Sequence, residues 1–415
     1  TRLYSFGMIV ISILLLFLSG CGKTAATNPS IGVLSNATAD AGIALEQKNG
    51  YDLGLKAAAM QFTRGDLDEG EPQSDIQRKF RDRVQDQKTP MIALLGGTSN
   101  SATSHAAALA NFFNVPMLVP TANGDSLFPS SNLWAFRLSA PGKAYANYLF
   151  GSVLTKQDMD KQAEDATVTF LSAPELRVAI LYEQNTFGES AAVATAEAVM
   201  AQSIKIRVYT NFKPENTDPA TLKALAEKVQ EAQVQLVYLI SSDPALAKNL
   251  VQTFRATFDE YSMPILVGQA GGFSAQDFLD SKEAEGVYVL RQQIDRTHCP
   301  DEIQSSYDAQ TYAAISLLDW AVQKANEKPV AAPKRFSLGQ QTDSAVQTRR
   351  EAIRDALKEA DLNLPCLGRV AFDNTGQNKN LKLEIIHITN GMVEATSATG
   401  FLEALKKRLA YDVVP

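Results

Sequence analysis

Runs of about five apolar residues alternate with amphipathic stretches of about ten to eighteen along most of the chain. The short runs are Ser30 to Leu34, Met91 to Leu95, Val115 to Val119, Arg177 to Tyr182, Ile204 to Thr210, Val234 to Ile240, Met263 to Gly268 and Gly286 to Leu290. Near-continuous apolar segments of this length predict strands covered on both faces. Between them, YDLGLKAAAMQF, SATSHAAALANFF, ATLKALAEKVQEA and PALAKNLVQTFRATF carry apolar residues three and four apart and predict helices. Repetition of the two predicts βα units and parallel sheets, an α/β fold. Near the C-terminus the pattern changes. QTYAAISLLDWAVQKA and VQTRREAIRDALKEA predict helices on either side of a polar stretch, and GRVAFDNTGQNKNLKLEIIHIT reads as a hairpin-like pair around its turn residues. The segment FTRGDLDEGEPQSD, ending at Asp75, shows no apolar alternation and predicts no strand.

The beginning of the chain follows a different logic. Met8 to Leu18 is an eleven-residue run, apolar except for Ser12, and a helix needs roughly 18 to 20 apolar residues to span a bilayer. The run fits the core of a secretory signal, with residues 1–20 as a leader. LSGC has the form of a bacterial lipobox, which makes Cys21 the expected lipid-modified residue and 21–28 a lipidated tether. Arg2 is the only basic residue ahead of the run, and Met8 is a candidate start. GCGKT resembles the end of a phosphate-binding loop, but Phe17 stands where that loop needs its first glycine.

Composition narrows the partners. The chain is 45% apolar and 20% charged, with net charge −7 and a sequence pI near 5.2, a balance that argues against nucleic acid. A mature length of about 390 residues is too long for one compact core and predicts two domains. Export permits disulfides, so Cys299 and Cys366 are a candidate pair, with two buried thiols as the other reading.

The stretches ALLGGTSNSATSHAAALANFFNVPMLVPTA, LWAFRLSAP, RVAILYEQNTFGESAA, YLISSDPALAKNLVQ and GRVAFDNTGQ, taken in this order, resemble the type I periplasmic solute-binding proteins, in the branch that binds leucine, isoleucine and valine for ABC importers. The resemblance implies two Rossmann-like αβ lobes with parallel sheets, joined by a three-strand hinge. Its boundaries would be 29–141 plus 294–370 for the N-terminal lobe and 142–293 plus 371–415 for the C-terminal lobe. The family holds its ligand between the lobes, where strand ends and helix N-termini offer unpaired N–H groups.

Carried onto this chain, the carboxylate-binding positions are Asn100 and Ser101 in GGTSNS, then Thr121 and Asn123 in PTANGDSL. A plain capped turn is the alternative for the first loop. Asn123 stands where the family commonly has threonine. The aromatic ring placed over the ligand corresponds to Phe187, which lacks a hydroxyl; a buried structural phenylalanine is the alternative. The family's amine-binding acid should fall in QAGGF, which has none, so Gln269 or the small Ala270 occupies that place. Ser242 and Asp243 in SSDP are further candidates, with helix capping as the alternative role for Asp243.

No catalytic chemistry emerges. His105, His298 and His387 are scattered without metal-ligand spacing, and neither a G-x-S-x-G elbow nor an HExxH helix occurs. The expectation is a non-enzyme without metal or cofactor: an extracytoplasmic receptor, anchored to the lipid membrane through Cys21, that captures an amino acid or related small amide or carboxylate and delivers it to an importer permease. The alternative is an envelope sensor or regulatory lipoprotein of the same fold that delivers no solute and whose cleft is filled by its own side chains.

Overall fold

A computed structural model describes residues 28–36, 42–165, 176–214, 218–327 and 344–411. The leader and Cys21 lie outside the described residues. The first sheet has five parallel strands in the order β2-β1-β3-β4-β5: β1 Ser30–Ser35, β2 Thr63–Asp68, β3 Met91–Leu95, β4 Met117–Val119 and β5 Ala135–Arg137. The apolar runs explain it. Every residue of β1, β3, β4 and β5 is buried, because helices cover both faces. On one face α2 (Gln73–Val84) and α3 (Asn100–Phe113) pack through Ile76, Phe80, Ala106 and Ala110 against Leu34, Met91 and Leu94. On the other, α1 (Gly42–Ala57) contributes Tyr51, and helices from far downstream complete the core against Ile31, Val33 and Ile92.

The second sheet has seven strands. Five are parallel: β6 Arg177–Glu183, β7 Lys205–Phe212, β8 Leu236–Ile240, β9 Ile265–Gln269 and β10 Tyr288–Gln292. One face is covered by α4 (Gly142–Tyr148), α5 (Lys156–Asp165) and α6 (Thr186–Ala201). The other carries α7 (Pro219–Glu231), α8 (Pro244–Thr257) and the short α9 (Gln276–Leu279). Asp218 and Asp243 start α7 and α8 by accepting from backbone N–H groups of the first turn, each followed by proline at N1.

After β10 the chain returns to the first sheet as α10 (Ser306–Glu327) and α11 (Ser344–Lys358), whose Leu317, Leu318, Ile353 and Leu357 close its core. A hairpin of β11 (Asp361–Leu364) and β12 (Gly368–Ala371) follows. The chain then crosses back to add β13 (Leu383–Thr389), β14 (Met392–Thr396) and α12 (Ala398–Tyr411) to the second lobe. At the crossings, Gln292 receives Ala140 N–H at 3.1 Å and donates to Leu138 O at 3.2 Å, while Arg137 Nε reaches Gln377 at 2.6 Å. The Cys299 and Cys366 sulfurs are bonded, tying the segment after β10 to the turn between β11 and β12.

Two sequence expectations are corrected. The polar segment before Asp75 does contain a strand: β2 pairs with β1 over six residues. It lies at the sheet edge, where backbone pairing suffices, and buries only Gly65 and Leu67. Its Arg64 bonds Asp52 at 3.0 Å and Asp66 at 2.6 Å, so the outward row is polar for a reason. The hairpin-like pair is realised only at its turn, where Phe372 and Asn378 form a single antiparallel bridge and Asp373 N donates to Gln377 O at 2.9 Å, and not between the flanking strands. β12 joins β11, whereas β13 joins β10 and β14 in antiparallel register. The β13–β14 hairpin turns at Asn390 and Gly391, both with positive φ (53° and 70°), the geometry that favours Asn-Gly in two-residue turns. Nothing crowds a Cβ at Gly391. Replacing it by valine is therefore expected to cost about 1 kcal/mol through backbone strain alone, measured as a shift in urea unfolding.

Candidate functional site

The carboxyl ends of both sheets face a common cleft of about 350 Å³. From the first lobe its wall comprises Ile43, the loop Thr98 to Ser101 after β3, and Thr121 and Asn123 after β4. A buried carboxylate shapes that loop. Glu69 accepts from Thr98 N and Ser99 N, both at 3.0 Å, and from the Thr98 hydroxyl. Burial pushes its pKa up, opposed by these same hydrogen bonds. Ser99 caps α3, receiving Ala102 N–H at 3.3 Å. Asn100 Oδ1 accepts from Asn123 N at 3.1 Å and Gly124 N at 3.0 Å, locking the two loops together. Thr121 Oγ1 donates to Gly97 O at 3.0 Å and accepts from Gln47 at 3.1 Å.

The second lobe contributes Asn185, Thr186 and Phe187 after β6, Ser242 after β8 and Gly271 after β9. Asn185 caps α6 by accepting from Gly188 N at 2.8 Å. Phe187 is 6% exposed and belongs to the lobe core while its edge reaches the cleft. Gly271 has φ 120°, and a Cβ there would meet Ser241 O at 2.5 Å, so the backbone turn needs glycine. Tyr307, at the start of α10, closes the floor. Its hydroxyl receives Gly271 N–H at 2.8 Å, donates to Gly271 O at 2.9 Å and accepts from Ser274 at 3.0 Å, which joins the lobes. Burial pushes the Tyr307 pKa far up, so the hydroxyl stays neutral.

The structure thus brings Asn100, Ser101, Thr121, Asn123, Phe187 and Ser242 to one cleft. It takes Asp243 and Gln269 elsewhere. The Asp243 carboxylate is held by Ala245 N at 2.7 Å as the cap of α8. Gln269 is fully buried at the end of β9, where its side-chain oxygen accepts from Tyr238 at 3.0 Å. Among the described residues lining the cleft, none is acidic or basic. Sequence reasoning missed Asn185 and Thr186, although an Asn-Thr pair ahead of a helical pattern is a capping signal. It also missed Tyr307, for which no local signal exists. A second cavity of about 400 Å³ shares Asn100, Ser101 and Thr186 with the first and extends past His105 and Asp125. Among the described residues no cluster of potential metal ligands occurs, and no helix is long and apolar enough to cross a membrane.

No protein-family model and no curated protein matches the sequence. Solved structures do match the fold. The leucine-binding protein LivK from Thermotoga maritima MSB8 is 12% identical, with a TM-score of 0.67 over 89% of this chain and 98% of that one. The branched-chain amino acid substrate-binding protein LivJ from Streptococcus pneumoniae, in complex with isoleucine, is 16% identical, with a TM-score of 0.64 over 89% and 99%. A solute-binding protein from R. palustris in complex with benzoate is 12% identical, with a TM-score of 0.65 over 89% and 95%.

Proposed function

We propose that this chain, which has the two-lobed fold of the type I periplasmic binding proteins, is an extracytoplasmic receptor that captures a small polar solute between its lobes for an ABC importer. The observation that carries the reading is the cleft itself. It is walled by both lobes at the carboxyl ends of both sheets, rich in hydroxyl and amide groups, and some 350 Å³ of it is left open by the protein's own side chains. A regulator retired from solute binding should have filled that space. A ligand contacting both walls binds the closed arrangement better than an open one, and this differential affinity drives closure. Bound solutes in structural neighbours range from isoleucine to benzoate, so the proposed solute class is an amino acid or a related small carboxylate or amide. Cys21 is the proposed lipid anchor, and the importer's membrane permease the proposed partner.

Thermal unfolding of the purified protein, refolded from denaturant to remove carried-over solute, tests this against a panel of amino acids, amides, urea and small carboxylates. A ligand at a hundred times its Kd is expected to add about 2.7 kcal/mol, a shift of a degree or more for a chain of this size. The shift should vanish in Phe187→Ala and Asn123→Ala. A flat response from folded protein would refute solute capture.

A further inference from the structure

On the second-lobe wall, two lining side chains lean on one buried carboxylate. Glu183, the last residue of β6, is 4% exposed and accepts from Asn185 Nδ2 at 2.7 Å, Ser242 N at 2.6 Å, Ser242 Oγ at 2.9 Å and Ser241 Oγ at 3.1 Å. None of the ion pairs among the described residues includes it. An ionised carboxylate only accepts, so every one of these partners turns a hydrogen inward. Asn185 directs its amide nitrogen to Ser242 Oγ as well, at 3.2 Å, and its oxygen already takes the Gly188 N–H. What these two side chains still offer the cleft is lone pairs, one on Ser242 Oγ and one on Asn185 Oδ1.

The facing wall is mixed: the Thr98 and Thr121 hydroxyls give their hydrogens to Glu69 and Gly97 O and offer the cleft lone pairs, whereas Asn100 offers a donor. Asn100 Oδ1 is occupied by two backbone N–H groups, which leaves its amide nitrogen to donate, beside the first-turn N–H groups of α3. The N-terminus of α6 also points at the cleft and by itself would favour an anion. Its partial charge is only about +0.5, and the full negative charge of Glu183 outweighs it.

We propose that Glu183 is the charge that sets specificity in this cleft: acting through Asn185 and Ser242, it makes the second-lobe wall a hydrogen-bond acceptor and selects solutes that bring N–H donors to that wall over solutes that only accept. Glu183 is a positioning residue, since the lining side chains stand between it and the solute. The inference rests on the solute-capture reading above. It also replaces the missing acid of QAGGF with a carboxylate one layer behind the cleft, which serves an ammonium or an amide alike.

The test is calorimetric titration of three matched sets: L-leucine with 4-methylpentanoate and 4-methylpentanamide, L-alanine with propanoate and propanamide, and L-phenylalanine with 3-phenylpropanoate and 3-phenylpropanamide. In any set that binds, a nitrogen-bearing member is expected to bind at least tenfold more tightly than the nitrogen-free acid; whether amine or amide leads identifies the donor. Glu183→Gln turns one acceptor oxygen into a donor, so it is expected to lower the thermal midpoint and, in protein that is still folded, to shrink that ratio to threefold or less; a merely structural glutamate would weaken every member of a set alike and leave the ratio unchanged. Should Glu183→Gln fail to fold, Ser242→Ala removes one relay group and should narrow the same ratio. Nitrogen-free acids binding as tightly as their partners would overturn the inference and leave solute capture standing. Silence across all three sets would overturn both.

Discussion

Glu46→Gln is expected to flatten the pH dependence of stability between about pH 4.5 and 8 by the share that Glu46 contributes. Glu46 lies on α1 of the first lobe and reaches the second, where one carboxylate oxygen accepts from Gln276 N at 2.7 Å. The other oxygen is buried without a partner. Burial pushes its pKa up, from 4.5 to about 7; Ser305 and the Gln276 N–H pull against this, and the nearby Asp308 and Asp277 add to it. Lys248, the basic group beside this cluster, is already engaged by Asp277 at 2.8 Å. The folded chain therefore holds this proton more tightly than the unfolded chain. The resulting stability is fully present below the unfolded value of 4.5 and is lost as the pH rises through the folded value of about 7. The full difference is on the order of 3 kcal/mol. Urea unfolding of the original chain and of Glu46→Gln at pH 5 and pH 8 measures it. The buried acids Glu69, Asp125 and Asp308 shift in the same direction, so the informative quantity is the difference between the two proteins. Parallel pH profiles would show that Glu46 titrates like a surface carboxylate.

Loss of the Cys299–Cys366 bond is expected to have an effect of similar size. The bonded residues are 67 apart in sequence, and closing so long a loop restricts the unfolded chain strongly. Chain entropy assigns about 4 kcal/mol to such a link, and measured losses run about 2 to 5 kcal/mol. Cys366 is fully buried among Ile294, Ile303, Ala309 and Tyr312, so two serine hydroxyls would also enter an apolar cluster. The double variant Cys299→Ser, Cys366→Ser should unfold at lower guanidinium concentration, and reducing agent should shift the original chain the same way. Unfolding midpoints that coincide would show that the native contacts alone hold this corner.

Legibility from sequence followed burial. Met91 to Leu95 reads as a strand residue for residue because a parallel strand covered on both faces must be apolar throughout. β2 escaped because an edge strand hydrogen-bonds through its backbone and needs few apolar side chains. The Asn390-Gly391 turn was legible in principle, and the competing turn residues around Asn374 and Gly376 obscured it. In the cleft, the loop after β3 was visible because polar capping residues stand directly between an apolar run and a helical pattern, whereas the loop after β4 came only from the family resemblance. The acid was not. Glu183 is an ordinary letter at the end of a strand, and only folding brings Ser241 and Ser242, 58 and 59 residues away, onto it.

The sequence by itself determined the α/β class, the parallel strands and the absence of an acid in QAGGF, because each depends on residues within one turn or one strand of each other. Tertiary structure alone decided which sheet β13 joins, that Tyr307 closes the cleft floor, that Asp243 and Gln269 stay out of it, and that Glu46, Glu69 and Glu183 lie buried. Those outcomes turn on desolvation and on hydrogen bonds between distant segments, and no local pattern of apolar and polar residues encodes either.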